Sequence, residues 1–95
     1  MKRLLVRRVQ RSLNHVATCL EEFRDPAAAR FRGWSRALQE RFSESLVQEI
    51  WVAIQPMRAH MGYLDYADEA FNEAFDELFR NLEDLISELR RASKD

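Results

Sequence analysis

Apolar side chains recur along the chain at steps of three and four residues in three long runs, the spacing of one face of an α-helix. In the first run Val6, Val9, Leu13, Val16, Leu20 and Phe23 form a single stripe. It predicts a helix over 2–23 that stops at Arg24-Asp25-Pro26. Asp25 can cap a following helix, and Pro26 suits its first position, where the missing N–H has no partner to lose.

The second run reads Phe31, Trp34, Leu38, Phe42, Leu46, Ile50 and Ile54, with Val47 and Trp51 alongside. Mostly it steps by four, which drifts about 40° per turn on a helix of 3.6 residues per turn. Either the stripe winds round one helix over 26–55, or that helix breaks near Gly33 or Ser43. A winding stripe touches different neighbours at its two ends. Pro56 lacks a backbone donor and clashes with the preceding turn, so the helix is expected to stop or kink there.

The third run is Phe71, Phe75, Leu78, Leu82, Leu85 and Leu89, a coiled-coil-like alternation broadened by Ala74, Phe79 and Ile86. Such a face is wider than a two-stranded seam requires, so this helix should meet two others. It is expected over 65–92, with Asp65 as cap and Asp68 three residues on. The pattern therefore predicts an all-α protein, one domain over 1–95, built as a three-helix up-down-up bundle. The first helix is the shortest, about 33 Å at 1.5 Å per residue, and leaves the apolar ends of the others uncovered. A homodimer is expected to cover them, with Trp51, Phe71, Phe75 and Phe79 as candidate interface rings.

Composition narrows the class. Apolar residues make up 46% and charged residues 33% of the 95, which suits a folded chain and not a disordered one. Two Gly and two Pro leave little turn material for a many-stranded sheet. The single Cys19 cannot form an internal disulfide, so nothing points to an oxidising compartment. No run approaches the roughly 18 apolar residues of a membrane span. A cytoplasmic location is the expectation. The alternative is mitochondrial, because Lys2, Arg3, Arg7, Arg8 and Arg11 precede the first acid, Glu21.

Charge changes the picture more. Residues 1–41 hold ten bases and four acids, a balance of +6, whereas 63–89 hold nine acids and one base, a balance of −8. On the third helix Asp65, Glu69, Glu73, Asp76, Glu77 and Asp84 share the face opposite the apolar stripe, with Arg80 the one base at a useful spacing. On the first helix Arg3, Arg7, Arg8 and Arg11 share a polar face. In an up-down-up bundle the first and third helices run parallel. The arginines would then pair with the acids at the start of the third helix, and Glu21 and Glu22 with Arg90 and Arg91.

Candidate chemistry is sparse. The acidic stripe could attract a basic partner protein. Arg3, Arg7, Arg8 and Arg11 could instead bind nucleic-acid phosphates. His15, Cys19 and Glu22 fall on one stripe and could supply part of a zinc site, or a base beside a thiol, but a full ligand set and an oxyanion element are both missing from the pattern. His60, before Gly62, reads as a loop residue. Aromatics at helical spacing read as core. The expected function is a non-enzymatic protein–protein interaction module (an adaptor, inhibitor or assembly factor) using oppositely charged helix faces and no cofactor. The alternative is a nucleic-acid-binding regulator acting through the first-helix arginines.

Overall fold

The computed structural model describes residues 2–59 and 69–94, and all of its regular elements are α-helices: α1 (Lys2–Glu22), α2 (Ala27–Glu40), α3 (Glu44–Ala59) and α4 (Glu69–Lys94). The expected start of the last helix at Asp65, its partner Asp68 and the loop position of His60 lie outside the described residues.

The stop after α1 forms as a hydrogen-bonded cap. Asp25 N–H donates to the Leu20 carbonyl at 3.0 Å and Arg24 N–H to the Glu21 carbonyl at 3.0 Å. Arg24 sits between them at φ 57°, the left-handed position usually given to glycine. Asp25 then opens α2 as the sequence suggests. Its Oδ1 accepts the Ala27 N–H at 2.9 Å while Pro26 takes helical φ and ψ of −63° and −18°.

The second predicted helix is two helices. Its stripe does not wind; the backbone breaks at residues 41–43. Arg41 leaves helical geometry with φ −153° and ψ 80°. Ser43 then starts α3, its hydroxyl accepting the Leu46 N–H at 3.0 Å and its carbonyl the Val47 N–H at 3.2 Å. Serine is a favoured N-cap because its side chain satisfies one of the orphan donors of the first turn. Pro56, by contrast, does not end α3, which runs on to Ala59. The carbonyl it leaves without an N–H partner is that of Val52, a residue 65% exposed, so water can serve it.

The extra turn reverses every direction after it. Gln10 meets Ser35, Arg32 meets Asn14, and Lys2 lies over Phe42, so α1 and α2 are antiparallel. Glu44 and Gln48 share a cleft with Arg90 and Ile86, and Trp51 packs on Phe79, so α3 and α4 are antiparallel. Because α3 begins beside Phe42, at the Lys2 end of α1, the Arg90 end of α4 lies there too. Helices α1 and α4 therefore run antiparallel and touch near their middles through Ser12 and Asn81. The described residues form an up-down-up-down arrangement of four helices, 45 × 25 × 18 Å, in place of the three-helix up-down-up bundle.

One core holds it together. Helix α1 lies closely between α2 and α4 and buries two adjoining stripes, Leu5, Val9, Val16 and Leu20 together with the small Ser12, Ala17 and Cys19. Small side chains let helix axes approach. Helix α2 adds Phe31, Trp34 and Leu38, and α3 adds Val47, Ile50 and Ile54. The broad face of α4 meets both α1 and α3, as its width predicts.

Candidate interaction surfaces

Reversing α4 undoes the expected charge ladder. The basic start of α1 now shares an end of the bundle with Arg90 and Arg91, and Glu21 and Glu22 share the other end with the acidic start of α4. Like charges meet like. Among the described residues there are two ion pairs, Arg32–Glu21 at 2.6 Å and Arg91–Glu88 at 2.8 Å, and neither joins α1 to α4.

Both charged faces therefore stay open. Glu69, Glu73, Asp76, Glu77 and Asp84 are exposed along α4, and none forms an ion pair among the described residues; Asp65 lies outside them. Arg80 stands exposed in the same row without an ion pair. On α1, Arg3, Arg7, Arg8 and Arg11 are likewise exposed and in no ion pair among the described residues, with Leu4 at 49% exposure between them. Arg3, Arg7 and Arg11 follow at four-residue steps, about 6 Å of rise each.

Where the start of α1 meets the end of α2, the surface dips into a cleft of about 380 Å³. Lys2, Arg3 and Arg7 stand round it, and Val6, Leu38 and Phe42 form its apolar floor. The Lys2 ammonium lies 5.0 Å from the centre of the Phe42 ring, a cation–π distance.

The α1–α2 seam carries the best-connected polar group. Arg32 donates to Glu21 at 2.6 Å, to the Thr18 hydroxyl at 3.0 Å and to Asn14 Oδ1 at 3.3 Å. The hydrogen bond from Arg32 holds the Glu21 carboxyl below its ordinary pKa, and the same bond raises that of Arg32. Periodicity could not have found this clamp, because its partners are eleven to eighteen residues away in the chain.

The remaining candidates separate. Cys19 is buried, whereas His15 and Glu22 are exposed, so the three do not converge on a point. No group of three or more His, Cys, Asp or Glu side chains among the described residues is placed to hold a metal ion. Phe71, Phe75 and Phe79 are buried in the chain's own core and Trp51 is half-buried against Phe79, at a ring separation of 4.6 Å. The three Phe rings are therefore not a free surface for a second copy, while Trp51 keeps partial exposure. No described helix is long and apolar enough to cross a membrane.

No family model matches the chain, and no match to it was found among curated proteins or solved structures.

Proposed function

We propose that this chain is a non-enzymatic protein–protein interaction module, an adaptor, inhibitor or assembly factor, whose α4 face docks a basic partner. The observation that carries the reading is the row Glu69, Glu73, Asp76, Glu77 and Asp84, exposed and in no ion pair among the described residues. Unpaired carboxylates repel one another along a helix, costing a few tenths of a kcal/mol per i,i+4 pair. A row that repels itself gains most from a partner of opposite charge, which also speeds and orients encounter. The buried interior is fully satisfied: no buried side-chain nitrogen or oxygen lacks a hydrogen-bond partner among the described residues. The working chemistry is accordingly assigned to the surface, and the module to the cytoplasm.

The test is a titration with a defined Lys- and Arg-rich helical peptide, read by fluorescence anisotropy at low and moderate salt. Saturable binding that weakens with salt, and is lost when Glu73 and Asp76 become Lys, supports the proposal. Binding that survives that double reversal sinks it.

A second reading rests on Arg3, Arg7, Arg8 and Arg11, which are free to meet nucleic-acid phosphates because α4 does not neutralise them. It predicts retention on immobilised nucleic acid, elution by salt, and loss of retention in Arg7→Ala/Arg11→Ala. Self-association is not part of the proposal, since three of the four rings expected at its interface, Phe71, Phe75 and Phe79, are buried within the chain.

A further inference from the structure

We infer that the cleft between the start of α1 and the end of α2 is a second docking site, for an acidic peptide segment that carries an apolar anchor. The inference is independent of the α4 face, which lies on a different helix.

Three features of the cleft define its ligand. Its charged groups are all cations, Lys2, Arg3 and Arg7, and no carboxylate lines it. None of the three is in an ion pair among the described residues. Its floor is apolar and accessible: Val6 and Phe42 are half-buried, and only Leu38 is closed over at 2% exposure. A ligand that satisfied the cations alone would leave that floor wet, and an apolar one would leave the cations unanswered.

An acidic segment with an apolar side chain uses both. Its carboxylates meet the guanidinium forks of Arg3 and Arg7, a charge-assisted and directional contact. Its anchor displaces water from Val6 and from the part of the Phe42 ring that Lys2 leaves open, placing an apolar centre inside a polar rim as productive interfaces do. Amide side chains from Gln10 and Gln39 also border the cleft. The Gln10 amide already donates to the Ser35 carbonyl at 3.3 Å, so Gln39, which is exposed, is the amide left to bond the segment's backbone. At about 380 Å³ the cleft falls at the small end of ligand-sized concavities, matching one or two side chains and not a folded domain.

A nucleic acid fits less well. Phosphodiester backbones make no use of an apolar floor, and base stacking needs an open ring face. Phe42 is the one ring among the described residues that lines the cleft, and Lys2 lies over one of its faces, which leaves room for an aliphatic contact at the ring but no full face for a base to stack on.

The experiment uses the full chain and a labelled peptide of Glu and Ala residues carrying one Leu and one Phe four positions apart. Three controls accompany it: the same peptide with Ala for both anchors, the same peptide with Gln for Glu, and a single-stranded oligonucleotide. The expected result is saturable binding that falls about tenfold or more in Arg3→Glu/Arg7→Glu, and falls also when either the anchors or the acids are removed. Phe42→Ala should weaken it, with circular dichroism confirming that both variants stay helical. Glu73→Lys/Asp76→Lys, which alters the α4 face, should leave it intact. Absence of binding at low salt overturns the inference, as does binding indifferent to the Arg3/Arg7 reversal. Preferential binding of the oligonucleotide overturns it too, and would give these arginines to nucleic acid.

Discussion

Asn81 donates from Nδ2 to the hydroxyl of Ser12 across 2.6 Å, joining the middle of α4 to the middle of α1. Ser12 is 2% exposed, and its own hydroxyl proton goes to the Arg8 carbonyl at 2.9 Å. The same Asn81 amide also approaches that carbonyl at 3.4 Å. One neutral amide thus pins the crossing of two helices whose outer faces carry opposite charge.

Breaking this link should cost a single hydrogen bond. Asn81→Ala and Ser12→Ala are each expected to destabilise by about 1 kcal/mol, with a coupling of about 0.5–1.5 kcal/mol between them. Urea denaturation of the two single variants and the double variant measures it. Zero coupling would show that Ser12 and Asn81 do not meet.

Two backbone positions invite opposite exchanges. Arg24 holds a left-handed conformation at φ 57°, where a side chain costs roughly 1 kcal/mol and glycine does not. Gly33 lies inside α2 with nothing within 4 Å of where a Cβ would sit. Arg24→Gly and Gly33→Ala should each raise stability by about 0.5–1 kcal/mol. Thermal melts test both, and a fall in either would contradict the local geometry assigned to it.

The α2–α3 break depends on Ser43. Removing the hydroxyl that accepts the Leu46 N–H should cost about 1 kcal/mol in Ser43→Ala, with most of it recovered in Ser43→Asp. If α2 and α3 were one continuous helix, alanine would stabilise the chain instead.

Acid should loosen the Arg32 clamp. The Glu21 carboxyl is held below its ordinary value by the hydrogen bond from Arg32. Its contribution is therefore complete above the unfolded carboxylate pKa near 4.3 and lost as pH falls through the lower folded value. Glu21→Gln should reduce stability slightly at neutral pH and remove this part of the acid dependence. The gap between variant and parent should close toward low pH; a gap independent of pH would mean that the pair does not form. Arg32 stays protonated throughout and adds no slope of its own.

Much of the fold was legible in the sequence because the core speaks in local periods. The stripes of α1 and α4, the Asp25 cap and the two-sided burial of α4 all follow from spacing within a few residues. The break at Ser43 was visible as one of two readings of a drifting stripe, and nothing local decided between them. Its two halves serve different neighbours, α2 packing on α1, where Leu38 meets Val6, and α3 on α4, where Trp51 meets Phe79. That choice then set the direction of α4, so the predicted ladder between the α1 arginines and the α4 acids went with it. Charge complementarity between whole helices was persuasive and misleading, because exposed pairs contribute too little to dictate topology. The Arg32 clamp and the cleft over Val6 and Phe42 depend on tertiary contact alone and left no trace in the pattern.

The account turns on the charged faces of α1 and α4 being open and not neutralising each other. The most direct measurement is the melting temperature of the dilute protein as NaCl rises from about 0.01 M, where the Debye length is about 30 Å, to about 0.15 M, where it is about 8 Å. Screening should relieve the repulsion within the α4 row and between the like-charged ends of α1 and α4, so the melting temperature is predicted to rise. A fall over the same range would mean that salt is dissolving favourable pairs. If the fall persisted in Glu21→Gln and Glu88→Gln, which remove the Arg32 and Arg91 pairs, the arginines of α1 and the acids of α4 would satisfy one another, and the face proposed for a partner would already be occupied.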